Sequence, residues 1–272
     1  MDIGFLAVFA GGLLATGALA GVLAGLLGVG GGIVIVPVLY QGLAWLGIDA
    51  DVRMHVTVGT SLMTIVATSL ASARAHRRRG SLDVDLLKTL AGGVLVGASA
   101  GALVGTRATG ETLTAVFAVV ALLVALNMAL RPGNAQVAPE LPRGWPRWSV
   151  GTVIGGFSVV IGIGDGTLSL PLLTAFAVPI RSAVGTASAI GCLIAVPGTI
   201  GFALSGLGRP ELPPLSLGYV NLIGFALITP MSVACAPLGA RLAHRLPANG
   251  VRRAFAAFLL ATAARMAWDL LG

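Results

Sequence analysis

Apolar stretches broken by short polar interruptions run the whole length of this 272-residue chain. In the first half they cover roughly 3–27, 33–46, 54–73, 84–106 and 112–130. A polar stretch with four prolines, Arg131 to Trp148, follows. The second half gives roughly 149–163, 166–178, 183–204, 216–240 and 251–271. A helix needs about 20 apolar residues to cross the hydrocarbon core of a bilayer. Segments 33–46, 149–163 and 166–178 fall short of that and read as re-entrant arms or half-helices. The pattern predicts an all-α fold with about five helical segments in each half. Residues 1–130 form a first membrane repeat, 131–148 a linker and 149–272 a second repeat.

Composition turns this pattern into a membrane protein. Hydrophobic residues make up 56% and charged residues 10%, with a mean hydropathy of +0.96. A soluble domain carries about 25% charged residues, so this chain cannot clothe a water-facing surface. The 39 glycines suit helices packed closely in lipid. The net charge of +7 sits in loops between apolar segments, as the positive-inside rule requires of cytoplasmic loops. No basic surface interleaved with aromatics stands outside the spans, so no nucleic-acid partner is expected. The N-terminus lacks the basic region of a cleavable signal peptide. Cys192 and Cys235 imply no disulfide framework.

Two breaks in the apolar pattern are copies of one another. The first reads Gly28-Val-Gly-Gly-Gly-Ile-Val-Ile-Val-Pro37 and the second Gly162-Ile-Gly-Asp-Gly-Thr-Leu-Ser-Leu-Pro171. They stand 134 positions apart, whether measured between the first glycines (162 − 28) or the prolines (171 − 37). Broken backbone survives at membrane depth only where protein buries it or where it lines a polar cavity. Paired breaks in two halves point to a transporter's binding site. Each string is expected to tip a helical hairpin near the midplane. Glycine reaches backbone angles closed to other residues, so successive N–H groups can face an anion. A half-helix beginning there adds the positive end of its dipole. The candidate backbone donors are Gly30, Gly31, Gly32, Gly164 and Gly166. The bland alternative is tight helix crossing, which also favours glycine.

The resemblance between halves extends further. Val58-Gly-Thr-Ser61 matches Val184-Gly-Thr-Ala187, and Gly105-Thr-Arg107 matches Gly239-Ala-Arg241. Thr60, Ser61, Thr186 and Ser188 are candidate hydroxyl donors to a bound oxyanion, unless each bonds a carbonyl one turn back. Loop charge reverses between the copies. In the first half the third-to-fourth connection is basic, with Arg74, Arg77, Arg78 and Arg79. In the second half the fourth-to-fifth connection is basic, with Arg241, Arg245, Arg252 and Arg253. An inverted-topology repeat must make that exchange to keep cations inside. The linker is then cytoplasmic, and the Asp49/Asp51 loop and both termini lie outside. Parallel repeats with four crossings each would put one of the two basic clusters on the wrong side.

Asp165 breaks the glycine symmetry, standing where the first copy has Gly31. A carboxylate inside a membrane motif is a functional candidate by default. Beside an anion site it repels the substrate unless protonated, which suggests proton coupling; the structural alternative is that it shapes the turn. His55 and Arg181 each stand three residues before a V-G-T string and are candidate cations at the mouth of the pathway. The scattered histidines and cysteines offer no metal spacing. No nucleophile constellation or phosphate loop appears, so neither a cofactor nor enzymatic activity is expected.

Through Gly25-Leu-Leu-Gly-Val-Gly-Gly-Gly-Ile-Val-Ile-Val-Pro37, Val58-Gly-Thr-Ser-Leu62 and their second-half echoes, the chain resembles the TauE/SafE family, the sulfite exporter or toluene sulfonate uptake permeases. The resemblance covers essentially the whole chain. It implies a secondary carrier of sulfur-containing anions such as sulfite or organosulfonates, in the bacterial cytoplasmic (inner) membrane. The expected partners are a small anionic substrate and the lipid bilayer, and a homodimer is compatible with the reading. A passive anion channel on the same scaffold is the alternative, ahead of a membrane-embedded enzyme or a sensor.

Overall fold

The computed structural model describes residues 3–27, 31–130, 145–242 and 248–271. Ten helices account for nearly all of them: α1 (Ile3–Leu27), α2 (Gly32–Trp45), α3 (Ala50–Arg78), α4 (Val84–Arg107), α5 (Gly110–Leu130), α6 (Trp145–Val160), α7 (Asp165–Ala175), α8 (Ile180–Ser205), α9 (Leu222–Leu242) and α10 (Ala248–Leu271). Five of the described helices, α3, α4, α5, α8 and α9, are long and apolar enough to cross a membrane. The protein is an all-α polytopic membrane protein.

The segment pattern matches these elements to within a few residues at most ends, and three of the differences stand out. Helix α3 starts at Ala50, four residues before the apolar run, because the Asp49 side chain accepts from the Asp51 N–H and caps it. Helix α6 starts at Trp145, inside the stretch expected to be linker; residues 131–144 lie outside the described ones. The segment expected over 216–240 opens instead as a hairpin, β1 (Ser216–Leu217) against β2 (Val220–Asn221). Its two-residue turn has Gly218 at φ +54°, the left-handed conformation that a tight hairpin needs at its first central position. Asn221 then caps α9, its Oδ1 accepting from the Gly224 N–H at 2.8 Å.

The halves are interleaved. Helix α1 packs along α9 of the other half, and its counterpart α6 packs along α4 of the first. Both seams are lined with glycine. A methyl group on Gly17 or Gly21 would strike the carbonyl of Ile228 or Ser232; one on Gly151 or Gly155 would strike that of Leu90 or Val94. Gly17 and Gly21 sit 134 positions before Gly151 and Gly155 (151 − 17 and 155 − 21), the offset of the glycine strings. Such close approach is how membrane helices gain packing energy when lipid is as apolar as leucine. Helices α3 and α8 cross between the seams, and α5 packs on α10.

Two reciprocal ties join the halves at the V-G-T strings. The Asn221 N–H, at the start of α9, donates to Thr60 Oγ1 of α3 at 2.9 Å. The Asp83 N–H, at the start of α4, donates to Thr186 Oγ1 of α8 at 3.2 Å. The preceding glycines make room: a methyl on Gly59 would meet the Tyr219 carbonyl, and one on Gly185 the Ser81 carbonyl. The start of α3 therefore lies beside the chain leaving α8, and the start of α8 beside the chain leaving α3. These corresponding helices run antiparallel.

Candidate functional site

Helices α2 and α7 are too short to span. At 1.5 Å per residue they reach about 21 Å and 16 Å. Each begins on a glycine, Gly31 for α2 and Gly164 for α7, and neither glycine has a side chain to cap the first turn. The contrast with α3, α4 and α9 is sharp, since Asp49, Asp83 and Asn221 cap those helices through their side chains. The first N–H groups of a helix have no intrahelical acceptor. The glycines at these two starts, Gly31, Gly32 and Gly164, are buried.

The two starts converge on one side chain. A methyl on Gly32 would lie 2.9 Å from Ile65 Cδ1 and 3.0 Å from the Gly162 carbonyl oxygen. One on Gly164 would lie 2.7 Å from Ile65 Cγ2. Ile65, near the middle of α3, thus wedges between the half-helix starts while the second glycine string touches the first. Gly162 turns with φ +64°, packs on Val58, and its carbonyl accepts from Ser61 Oγ at 2.8 Å.

The four candidate hydroxyls are all engaged by protein. Ser61 holds Gly162, while Thr60 and Thr186 form the reciprocal ties. Ser188 donates to the Gly185 carbonyl at 2.8 Å. By contrast, the buried Ser158, Ser169 and Ser232 hydroxyls have no hydrogen-bond partner, nor does Thr199 Oγ1. Ser158 stands four residues before the second glycine string and Ser169 lies within it. Ser232, in the middle of α9, reaches the first: a methyl on Gly31 would stand 3.6 Å from its Oγ.

Of the other candidates, Gly30 lies outside the described residues. Asp165 and Gly166 form the first turn of α7, and nothing beyond that backbone placement is described for them. His55 is buried near the start of α3. Its Nδ1 and Nε2 each lie 3.0 Å from a carbonyl oxygen, of Asp51 and Ala108. Its ring stacks on Tyr219 with centroids 4.8 Å apart. Arg209 covers the same tyrosine at 5.6 Å; burial pushes the phenol above its usual pKa, and the guanidinium works against that. Arg181 is exposed in the first turn of α8, near the opposite end of the molecule from His55. Among the described residues, no group of three His, Cys, Asp or Glu could hold a metal ion.

Sequence reasoning missed Ile65 and Ser232. Ile65 carries no polar signal at all. Ser232 is one hydroxyl among many in apolar helices, and only the packing of α1 on α9 brings it to the glycine string. Asn221 could have been found, as an Asn directly before an apolar run is a helix-start signal.

The family model for the sulfite exporter TauE/SafE matches residues 13–266. A "Probable membrane transporter protein" of Haemophilus influenzae is 34% identical over 93% of this chain and 96% of its own length. Proteins described in the same words from Bacillus subtilis and Methanocaldococcus jannaschii are 28% and 24% identical. These two matches cover 71% and 83% of this chain, and 78% and 81% of the relatives. No solved structure matches the chain.

Proposed function

The chain belongs to the sulfite exporter TauE/SafE family of membrane transporters, and from that premise we propose that it is a secondary carrier of a small sulfur-containing anion, sulfite or an organosulfonate. The observation that carries the reading is the pair of half-length helices whose glycine starts are buried together at Ile65. In a protein interior the N–H groups of a first turn need an acceptor, and an oxyanion supplies several acceptor oxygens together with the charge that the helix dipoles favour. Gly31, Gly32 and Gly164 present the backbone donors, with Gly30 and Gly166 adjoining them in sequence.

We read the halves as inverted repeats in the cytoplasmic membrane, a reading supported by the antiparallel run of α3 and α8 and by the reversal of loop charge. Alternating access is then a rocking of the interleaved halves about the glycine starts. Asp165, opening α7, is the carboxylate through which a proton would be coupled.

The test is a thermal-shift titration of the purified protein with sulfite, thiosulfate, sulfate and small sulfonates, followed by uptake into proteoliposomes. Selective stabilisation by a sulfur oxyanion and concentrative uptake are expected. A response confined to neutral or cationic compounds would overturn the reading. Rapid, non-concentrative flux would make the protein a channel.

A further inference from the structure

Hydroxyls inside membrane helices ordinarily donate to a carbonyl one turn back. Thr57, Thr64, Ser69, Thr114 and Thr262 all do so here. Ser232 does not. It is 1% exposed and its Oγ has no partner. The seam with α1 fixes its position: Gly17 seats against the Ile228 carbonyl and Gly21 against that of Ser232 itself. With α9 drawn that close, the Ser232 side chain lies beside the start of α2. A methyl on Gly31 would meet Ala20 Cβ at 3.3 Å and Ser232 Oγ at 3.6 Å.

Two donor features therefore meet at one buried point. One is a helix start whose capping residue has no side chain; the other is a hydroxyl with nothing to donate to. A buried polar group without a partner is costly, and such a group in a folded protein calls for an explanation such as a ligand not yet in place. Both features here are donors. A small oxyanion answers them together, one oxygen taking the Gly32 and Ile33 N–H groups, which have no acceptor one turn back, and another the Ser232 hydroxyl; the third N–H of that turn, of Val34, donates to the Gly31 carbonyl.

We propose that Ser232 is a hydroxyl donor to the anion held at the start of α2, contributed by the half of the chain opposite the glycine string it serves. The assignment rests on the anion-carrier reading above and adds a residue to its site. It also makes the site composite, with backbone donors from the first half and a side-chain donor from the second. At the seam position corresponding to Ser232, where Gly155 meets α4, stands Val94. The start of α7 thus has no equivalent hydroxyl from α4.

The experiment is a thermal-shift titration of full-length wild type, Ser232→Ala and Ser232→Cys with sulfite and ethanesulfonate, with chloride as control. Wild type is expected to be stabilised by at least one of the two sulfur anions and not by chloride. Loss of a hydrogen bond to a charged ligand weakens apparent affinity by roughly tenfold or more, and Ser232→Ala should show that loss. Its melting temperature without ligand should be unchanged or higher, because an unpartnered buried hydroxyl has been removed. Ser232→Cys, of similar size with a weaker donor, should fall between, and it carries the test if the alanine variant does not fold. Wild-type affinity in both variants would overturn the Ser232 assignment while leaving the carrier reading standing. A lower melting temperature without ligand in both would make Ser232 a packing residue and also overturn it. Failure of both sulfur anions to stabilise wild type would overturn the carrier reading and the assignment with it.

Discussion

The two V-G-T strings are used alike, and the two glycine strings are not. At each V-G-T the glycine admits the other half's backbone and the threonine accepts the N–H at the start of that half's fourth helix. The tie is the same at both ends of the molecule. At the glycine strings the correspondence breaks. Gly31 takes an ordinary helical φ of −78° and lets neighbours close in. Its counterpart Asp165 opens the first turn of α7 instead; the left-handed turn of that string, with its carbonyl on Ser61, is made by Gly162, whose own counterpart Gly28 lies outside the described residues. Asp165 stands in the second string where Gly31 stands in the first. Of the described residues, the four buried hydroxyls without a partner all lie in the second half. The correspondence holds where the halves brace one another and breaks at the proposed site.

This comparison can be broken in four places, the severest first. Gly21→Leu and Gly155→Leu, at corresponding positions in the two seams, each drive a side chain into a backbone carbonyl. Overpacking of this kind costs on the order of 3 kcal/mol or more. Both variants should lose monodisperse protein on size-exclusion chromatography to a similar extent, and a folded product from one alone would show that the seams are not equivalent. Next, Asp165→Asn tests the divergent strings. Uptake by proteoliposomes should lose its pH dependence; a profile like that of wild type would remove Asp165 from the coupling role.

Smaller effects are expected at the ties. Thr60→Val leaves a buried backbone N–H unpaired, at a cost of about 1–3 kcal/mol, and Thr186→Val one that is only part-buried. Thermal melts should fall for both, more for Thr60, whose bond is the shorter and the more deeply buried. A large effect at one tie and none at the other would end the equivalence of the V-G-T strings. Least of all, Ser158→Ala and Ser169→Ala remove unpartnered hydroxyls and should leave the melting temperature of ligand-free protein unchanged or raised. Ser61→Ala, which strips the Gly162 carbonyl of its donor, should lower it by comparison.

The fold was largely legible in the sequence, because hydropathy reads directly on which stretches can leave water. The segment limits failed where side chains outrank hydropathy. Asp49 starts α3 early, and Gly218 and Asn221 build a hairpin and a cap out of what reads as the front of a span. The glycine strings were legible because hydrocarbon penalises broken backbone. The hydroxyls were not. Sequence names Thr60 and Ser232 alike as alcohols in apolar helices, and which of them has a partner depends on contacts between halves. The V-G-T repeat is a real signal, but the structural use it reports is a brace between halves. Ile65 was invisible for a different reason: a wedge between two helix starts needs bulk in the right place, and no residue type advertises that.

The exchange of first helices between halves has a consequence for how the protein comes to be made. Helix α1 leaves the ribosome long before α9, to which the carbonyls that Gly17 and Gly21 seat against belong. Contacts so distant in sequence form late, after the cost of closing a long loop has been met. For most of synthesis α1 must therefore wait with its glycine face against lipid or another temporary partner. Helix α6, by contrast, is separated from its partner α4 by a single helix in the chain. The two seams match in structure but close in a fixed order, and the α1–α9 seam, which carries Ser232 to the start of α2, is completed last.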